Sequence, residues 1–147
     1  MMEPVQRILG IDFGTSRIGL SLSDPLLILA QPYETLKNDS ETMHRIVDIV
    51  EREQVNQVIV GMPLNLKGQK GKKALEVEQF VSRLKEHLRV EVLVWDERFT
   101  TLMAHQTLRR MGTKKRDRET NKGRIDAMAA SLLLQSYLDS RKRSLSC

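Results

Sequence analysis

A chain of 147 residues is the size of one domain, large enough to bury roughly two-thirds of the surface its unfolded form exposes. Its single cysteine, Cys147, excludes an internal disulfide framework and a cysteine-based zinc site, and no stretch approaches the length needed to span a bilayer. Charge is unevenly placed: residues 1–113 hold 15 basic and 15 acidic residues, whereas residues 114–147 hold 9 and 4 and so carry the whole formal net charge of +5. No Gly-, Pro- or Ser-rich linker and no internal repeat divides the chain, and Met1-Met2-Glu3-Pro4 lacks the basic and apolar regions of a signal peptide. The expected organisation is one domain over residues 1–139, a basic flexible tail over 140–147, and residence in the cytoplasm.

In chain order, Gln6–Asp12 and Arg17–Ser23 read as two short strands joined by a Gly-containing turn, the pattern of a β-hairpin. Leu26–Ala30 is a candidate third strand, which Pro25 and Pro32 restrict to a short edge strand. From about Ser40, the apolar residues Met43, Ile46, Val47, Ile49 and Val50 recur at helical spacing. Val58-Ile59-Val60-Gly61 suits a buried strand, and a polar loop follows from Asn65 to Lys73. A second amphipathic helix is predicted through Leu75, Val77, Phe80, Val81, Leu84 and Leu88, then a strand over Val90–Trp95. Further helices are expected over Thr101–Met111 and Ile125–Leu138, with the basic run Lys114–Arg124 as a loop between them. Strands that alternate with helices imply parallel pairing with right-handed crossovers, and the first hairpin adds an antiparallel part. The expected fold is therefore α/β with a mixed sheet, its site at the carboxyl ends of the parallel strands.

Acidic residues stand out at three places in the chain. Asp12 lies among Ile8, Leu9, Ile11 and Phe13, where an unneutralised buried carboxylate costs several kcal/mol. It either meets a metal ion or a catalytic role, or caps the turn by accepting backbone N–H groups. Asp96 and Glu97 end an apolar strand, and adjacent strand residues face opposite ways, so the two do not serve one site equally. The ordinary account gives one to a helix N-terminus and the other to Arg98. Trp95 and Phe99 read as core rather than as base-stacking platforms. Asp126 opens a helix whose Ala127, Ala129 and Ala130 allow close approach to the sheet; its plainer role is to complement the helix dipole. If the acids converge, their oxygens suit hard divalent cations. Two such ions roughly 3.5–4 Å apart can activate a water and stabilise the leaving oxygen of a phosphodiester. The basic run is either a solvated segment or a phosphate contact beside that site.

The pieces Gly10-Ile11-Asp12-Phe13-Gly14-Thr15-Ser16-Arg17-Ile18-Gly19, Val60-Gly61-Met62-Pro63-Leu64-Asn65, Gly68-Gln69-Lys70-Gly71, Asp96-Glu97-Arg98-Phe99-Thr100-Thr101 and Asp126-Ala127-Met128-Ala129-Ala130 occur in that order over nearly the whole chain. With Ser23-Asp24, they make the chain resemble the YqgF family of bacteria, also called RuvX, described as Holliday junction resolvases or pre-16S ribosomal RNA nucleases. The resemblance implies an RNase H-like three-layer fold, with a five-stranded mixed sheet whose first three strands are antiparallel. It implies a nuclease site of Asp12, Glu97 and Asp126 with Mg2+ or Mn2+, acting on the 5′ end of precursor 16S rRNA or on branched DNA. Pre-ribosomal particles are an expected partner, as monomer or homodimer. Arg17, Lys114, Lys115, Arg116, Arg118, Lys122 and Arg124 are expected to meet substrate phosphates. RNase H and the RuvC-type resolvase use four acids, whereas one turn beyond Asp126 this chain has Ala129 and Ala130, leaving Asp24 or Asp96 as the candidate fourth. Two rival classes exist. Ile11-Asp12-Phe13-Gly14-Thr15 also resembles the phosphate loop of actin-like ATPases, which need two lobes where this chain has length for one. A nucleic-acid-binding factor without turnover is the other.

Overall fold

The computed structural model describes residues 6–100 and 115–145. Strands β1 (Arg7–Phe13), β2 (Arg17–Ser23) and β3 (Ala30–Lys37) are followed by helix α1 (Thr42–Arg52), β4 (Val55–Met62), α2 (Lys72–His87) and β5 (Glu91–Asp96). A short 3-10 turn over Glu97–Phe99 and a long helix, α3 (Lys115–Leu145), complete the order. The five strands form one sheet in the order β3-β2-β1-β4-β5. β1, β2 and β3 pair antiparallel, and β4 and β5 join β1 in parallel, so the sheet is mixed as expected.

Alternate residues fill the two faces of the sheet. Leu9, Ile11, Ile18, Leu20, Val58 and Val60 form one core with the apolar stripes of α1 (Met43, Ile46, Ile49, Val50) and α2 (Val77, Phe80, Leu84). Ile8 and Ile59 point the other way and meet Leu134 and Leu138 of α3. The result is three layers, with α1 and α2 on one side of the sheet and α3 on the other.

Two expectations are corrected. Leu26–Ala30 is not the third strand; most of it is a loop built on Asp24, whose Oδ1 accepts the N–H groups of Ile28 and Leu29 at 2.8 Å each. Leu27 takes a φ of 59° there, and Leu26 and Leu29 face solvent. The strand begins at Ala30 and contains Pro32, which it tolerates because β3 is an edge strand whose register shifts between Leu20 and Ser21, opposite that proline. The second correction concerns the basic run, which is helical from Lys115 rather than a loop. Lys, Arg and Glu are good helix formers, and a turn that is polar all round shows no apolar stripe to read. At its other end α3 continues to Leu145, taking in residues 140–145 of the segment expected as a tail. The helix expected at Thr101–Met111 and the residue Lys114 lie outside the described residues, as do the side chains of Lys115, Arg116, Arg118 and Lys122.

Candidate active site

The face of the sheet beneath α3 carries the acids. Along β1, Ile8 meets α3, and the two-residue alternation puts Gly10 and Asp12 on the same face. On β2, Ser21 donates to the Ala130 carbonyl at 2.7 Å, so Arg17 and Gly19 share that face. On β4, Ile59 and Gly61 do the same. Asp12 is paired with Gly19 across β1 and β2, and the Ile11–Val60 pair makes Gly61 the next residue on its other side. Asp12 is thus flanked by two glycines, each on a strand about 4.8 Å away.

Gly19 clears space for the backbone of α3 and Gly61 for an acidic side chain. A Cβ on Gly19 would fall on the main-chain carbonyl of Asp126, so the first turns of this part of α3 rest directly on β2. The buried Ala127 and Ala130 complete that close approach, which the small residues of the helix predict. A Cβ on Gly61 would lie 2.7 Å from Glu97 Oε1 and 2.9 Å from Leu133 Cδ2. Glu97 follows β5 directly, at the start of the 3-10 turn, and lies over β4 against α3. Asp12, Gly61 and Glu97 all stand at the carboxyl ends of the parallel strands, where open α/β sheets bind ligands.

The electrostatics differ among the acids. Asp126 Oδ2 accepts from Arg17 Nε at 2.6 Å, a half-exposed pair that joins the start of β2 to α3. Burial pushes the Glu97 carboxyl above the usual glutamate range; Lys73 pulls it back and the Asp96 charge pushes it further up. Asp96 points elsewhere, as the strand alternation requires. It accepts from Arg98 Nη2 at 2.6 Å, Nε at 2.9 Å and the backbone N–H at 2.9 Å, and these bonds hold its carboxyl below the usual range. Asp24, the other candidate fourth acid, is engaged by its own loop; burial raises its carboxyl, but the N–H groups of Leu29 and Ile28 outweigh that and lower it. Both proposed substitutes for a fourth acid therefore serve local structure. Trp95 packs edge-on against Tyr137 of α3 and donates Nε1–H to Ser136, in keeping with a core role.

Among the described residues, no three His, Cys, Asp or Glu side chains stand close enough together to hold a metal ion. The donor chemistry nevertheless fits a hard divalent cation: an oxygen-only set on one face, with a desolvated carboxylate at Glu97 that gains from added positive charge. In the arrangement seen, the Arg17 guanidinium supplies that charge to Asp126. Beyond Asp126 a groove of about 470 Å³ runs between β3 and α3, lined by Tyr33, Thr35, Arg124 and Met128 among others. Arg124, from the expected basic run, forms part of its wall. Sequence reading missed Gly19 and Gly61 as clearances and Lys73 as the counter-charge to Glu97, whereas the expected pairing of Arg98 with one of the two adjacent acids is present, with Asp96 as that acid.

Comparison with known proteins agrees with this architecture. The RuvX family, described as a Holliday junction resolvase, matches residues 6–140. A protein of Sulfurihydrogenibium sp. named "Putative pre-16S rRNA nuclease" is 39% identical over 137 residues, covering 92% of this chain and 91% of that one. One of the same name from Acetivibrio thermocellus is 42% identical over 143 residues, covering 95% and 99%. Among solved structures, T. thermophilus RuvC in complex with Holliday junction substrate superposes with a TM-score of 0.59 at 16% identity, covering 93% of this chain and 96% of that chain. Fowlpox virus resolvase with Holliday junction DNA gives a TM-score of 0.54 at 14% identity, covering 92% and 98%. At those identities the likeness is one of fold.

Proposed function

The chain belongs to the RuvX family, and from that premise we propose that it is a divalent-cation-dependent nuclease that trims the 5′ end of precursor 16S rRNA in the cytoplasm. The observation that carries this reading is the trio of acids from β1, the β5 end and α3 on one sheet face, set apart by Gly19 and Gly61. Asp12, central in the sheet, would hold Mg2+ or Mn2+ jointly with Glu97 on one side and Asp126 on the other. When bound, the cation supplies a Lewis acid that offsets charge building on the phosphate. The chain's own groups do the rest. Arg17 keeps Asp126 turned toward Asp12's side of the sheet. Arg17 and Arg124, with Lys114, Lys115, Arg116, Arg118 and Lys122, neutralise substrate phosphates that the acids alone would repel. α3 covers the face and excludes water from Glu97.

The test is the Asp12→Asn protein. Unchanged thermal unfolding with cleavage abolished is the expected result; cleavage equal to the parent's would show that the activity belongs to a contaminant or to other residues. A second substrate, branched DNA, is favoured by the family's description and by the RuvC-like fold, and a homodimer would place two such sites on one junction. Precursor rRNA and a mobile four-way junction, cut side by side at the same Mg2+ concentration, separate the two. A chain that binds both and cuts neither at any cation concentration is a binding factor without turnover.

A further inference from the structure

The loop between β4 and α2 is held far more firmly than its burial warrants. Residues 65–70 are all exposed, and Leu66 has 95% of its surface in solvent. A lone exposed leucine is ordinary. This one is displayed by a network. Asn65 Oδ1 accepts the N–H groups of Lys67 and Gln69 at 2.9 Å each, and Asn65 Nδ2 donates to Gln69 Oε1 at 3.1 Å. The Asn65 carbonyl accepts from Gly68, the Gln69 carbonyl accepts from Asn65, and Leu64 bridges to Lys70. Gly68, at a φ of 80°, leaves just enough room for the Arg98 guanidinium, whose Nη1 donates to the Leu66 carbonyl at 3.4 Å. Arg98 is itself fixed by Asp96. Ordering each of these residues costs about 1–2 kcal/mol of backbone entropy, with no core contact in return from Leu66.

The loop's place is informative. It begins four residues after Gly61 and is anchored on Asp96 and Arg98, the two residues that flank Glu97. Residues 63–75 contain four lysines and no acid. Lys70 pairs with Glu78, whereas Lys73 stands near enough to Glu97 to favour its charged form. The groove walled by Arg124 lies on the β3 side of the acids and this loop on the β4–β5 side.

We propose that residues 64–70 form a second nucleic-acid contact, in which Leu66 packs on an unpaired base and Lys67 meets the adjoining phosphate. The proposal rests on the reading of the chain as one that acts on structured nucleic acid. Apolar side chains wedged against bases recognise places where stacking is already broken, such as bulges, strand ends and branch points, because unstacking there costs least. A cationic neighbour on the same rigid loop then reads the backbone at a fixed offset.

The test uses the full chain, without added cation so that nothing is cut, and a hairpin RNA carrying 2-aminopurine at a bulged position. The parent should bind it with a change in 2-aminopurine fluorescence. Leu66→Asn should lose that change and bind about ten-fold more weakly, the scale of taking one leucine side chain out of apolar contact, with unaltered thermal unfolding and unaltered binding to a bulge-free duplex. Lys67→Gln should weaken binding to both RNAs and reduce its salt dependence. If Leu66→Asn binds the bulged RNA as the parent does, the inference is wrong, and the leucine serves a protein partner or none. A parent that binds neither RNA refutes the nucleic-acid reading itself, so the two failures are distinct.

Discussion

Gly61 has no side chain because Glu97 already fills the space one would take. That placement strips water from the carboxyl, and burial outweighs the opposing pull of Lys73, so the group holds its proton to higher pH than an ordinary glutamate. A carboxyl whose pKa is raised by folding costs no stability below its unfolded value. The penalty grows as pH rises from about 4.3, where an unfolded-chain glutamate titrates, through the folded value, and is complete above it. Glu97→Gln should therefore unfold at a higher temperature than the parent at pH 7–8, with the gap closing as pH falls towards 4.3, while cleavage is lost. Losing Lys73's partner does not reverse the sign, because burial outweighs the pull of Lys73 on this carboxyl. Thermal melts of both proteins across that range decide the matter; a variant less stable than the parent at neutral pH would mean that Glu97 is a structural anchor. Asp12 stood out in the sequence as an acid among apolar neighbours; Asp126 stood out as an acid opening a helix of alanines, and there the structure differs, because α3 starts at Lys115 and Asp126 lies well inside it, away from the helix dipole's end. Gly19 and Gly61 did not stand out, because each is required by an atom more than 30 residues away, Asp126 in one case and Glu97 in the other.

At the scale of elements, what could be read followed from local periodicity, and what could not followed from long-range pairing. The stripes of α1 and α2 and the apolar runs of β1, β2 and β4 were each visible within a single window. The third strand was misplaced because Leu26–Leu29 imitates one, while its backbone donors are taken by the preceding Asp24. The true β3 has only one residue, Leu36, buried, so its sequence carries no strand pattern. Asp24→Ala should release the Leu26–Leu29 loop and lower stability by about 1–2 kcal/mol, the net worth of hydrogen bonds to a charged group at a partly solvated site. Cleavage, measured well below the melting temperature, should stay at the parent's level. A loss of cleavage like that of Asp12→Asn, with stability intact, would return Asp24 to the site. The stabilising bonds belong to the carboxylate, whose pKa is lowered, so the contribution is present at neutral pH and fades as pH falls through that lowered value.

On the scale of the whole molecule, charge and chemistry are segregated in sequence and rejoined by α3. The helix brings the basic residues 115–124 and the acid at 126 onto one rod, which lies across β1, β2 and β3. The segment that carries the entire net positive charge is thereby tied to the face that gathers negative charge. A solvated basic segment that serves only to keep the chain dispersed would leave nucleic-acid binding insensitive to its removal. One that contacts phosphates obeys counterion release: the logarithm of the binding constant falls with the logarithm of salt by about 0.9 per contacted phosphate on duplex DNA and about 0.7 on a single strand. Replacing Lys115, Arg116 and Arg118 together by Gln should leave the thermal unfolding curve nearly unmoved, since Gln suits a helix as well as they do. It should also flatten the salt slope by roughly two to three contacts' worth and weaken binding alike across sequences, because phosphate contacts carry no base information. Fluorescence anisotropy over a series of salt concentrations measures both quantities at once. A slope that matches the parent's would confine substrate binding to Arg17, Arg124 and the β4–α2 loop, and would make the basic start of α3 a solvated one.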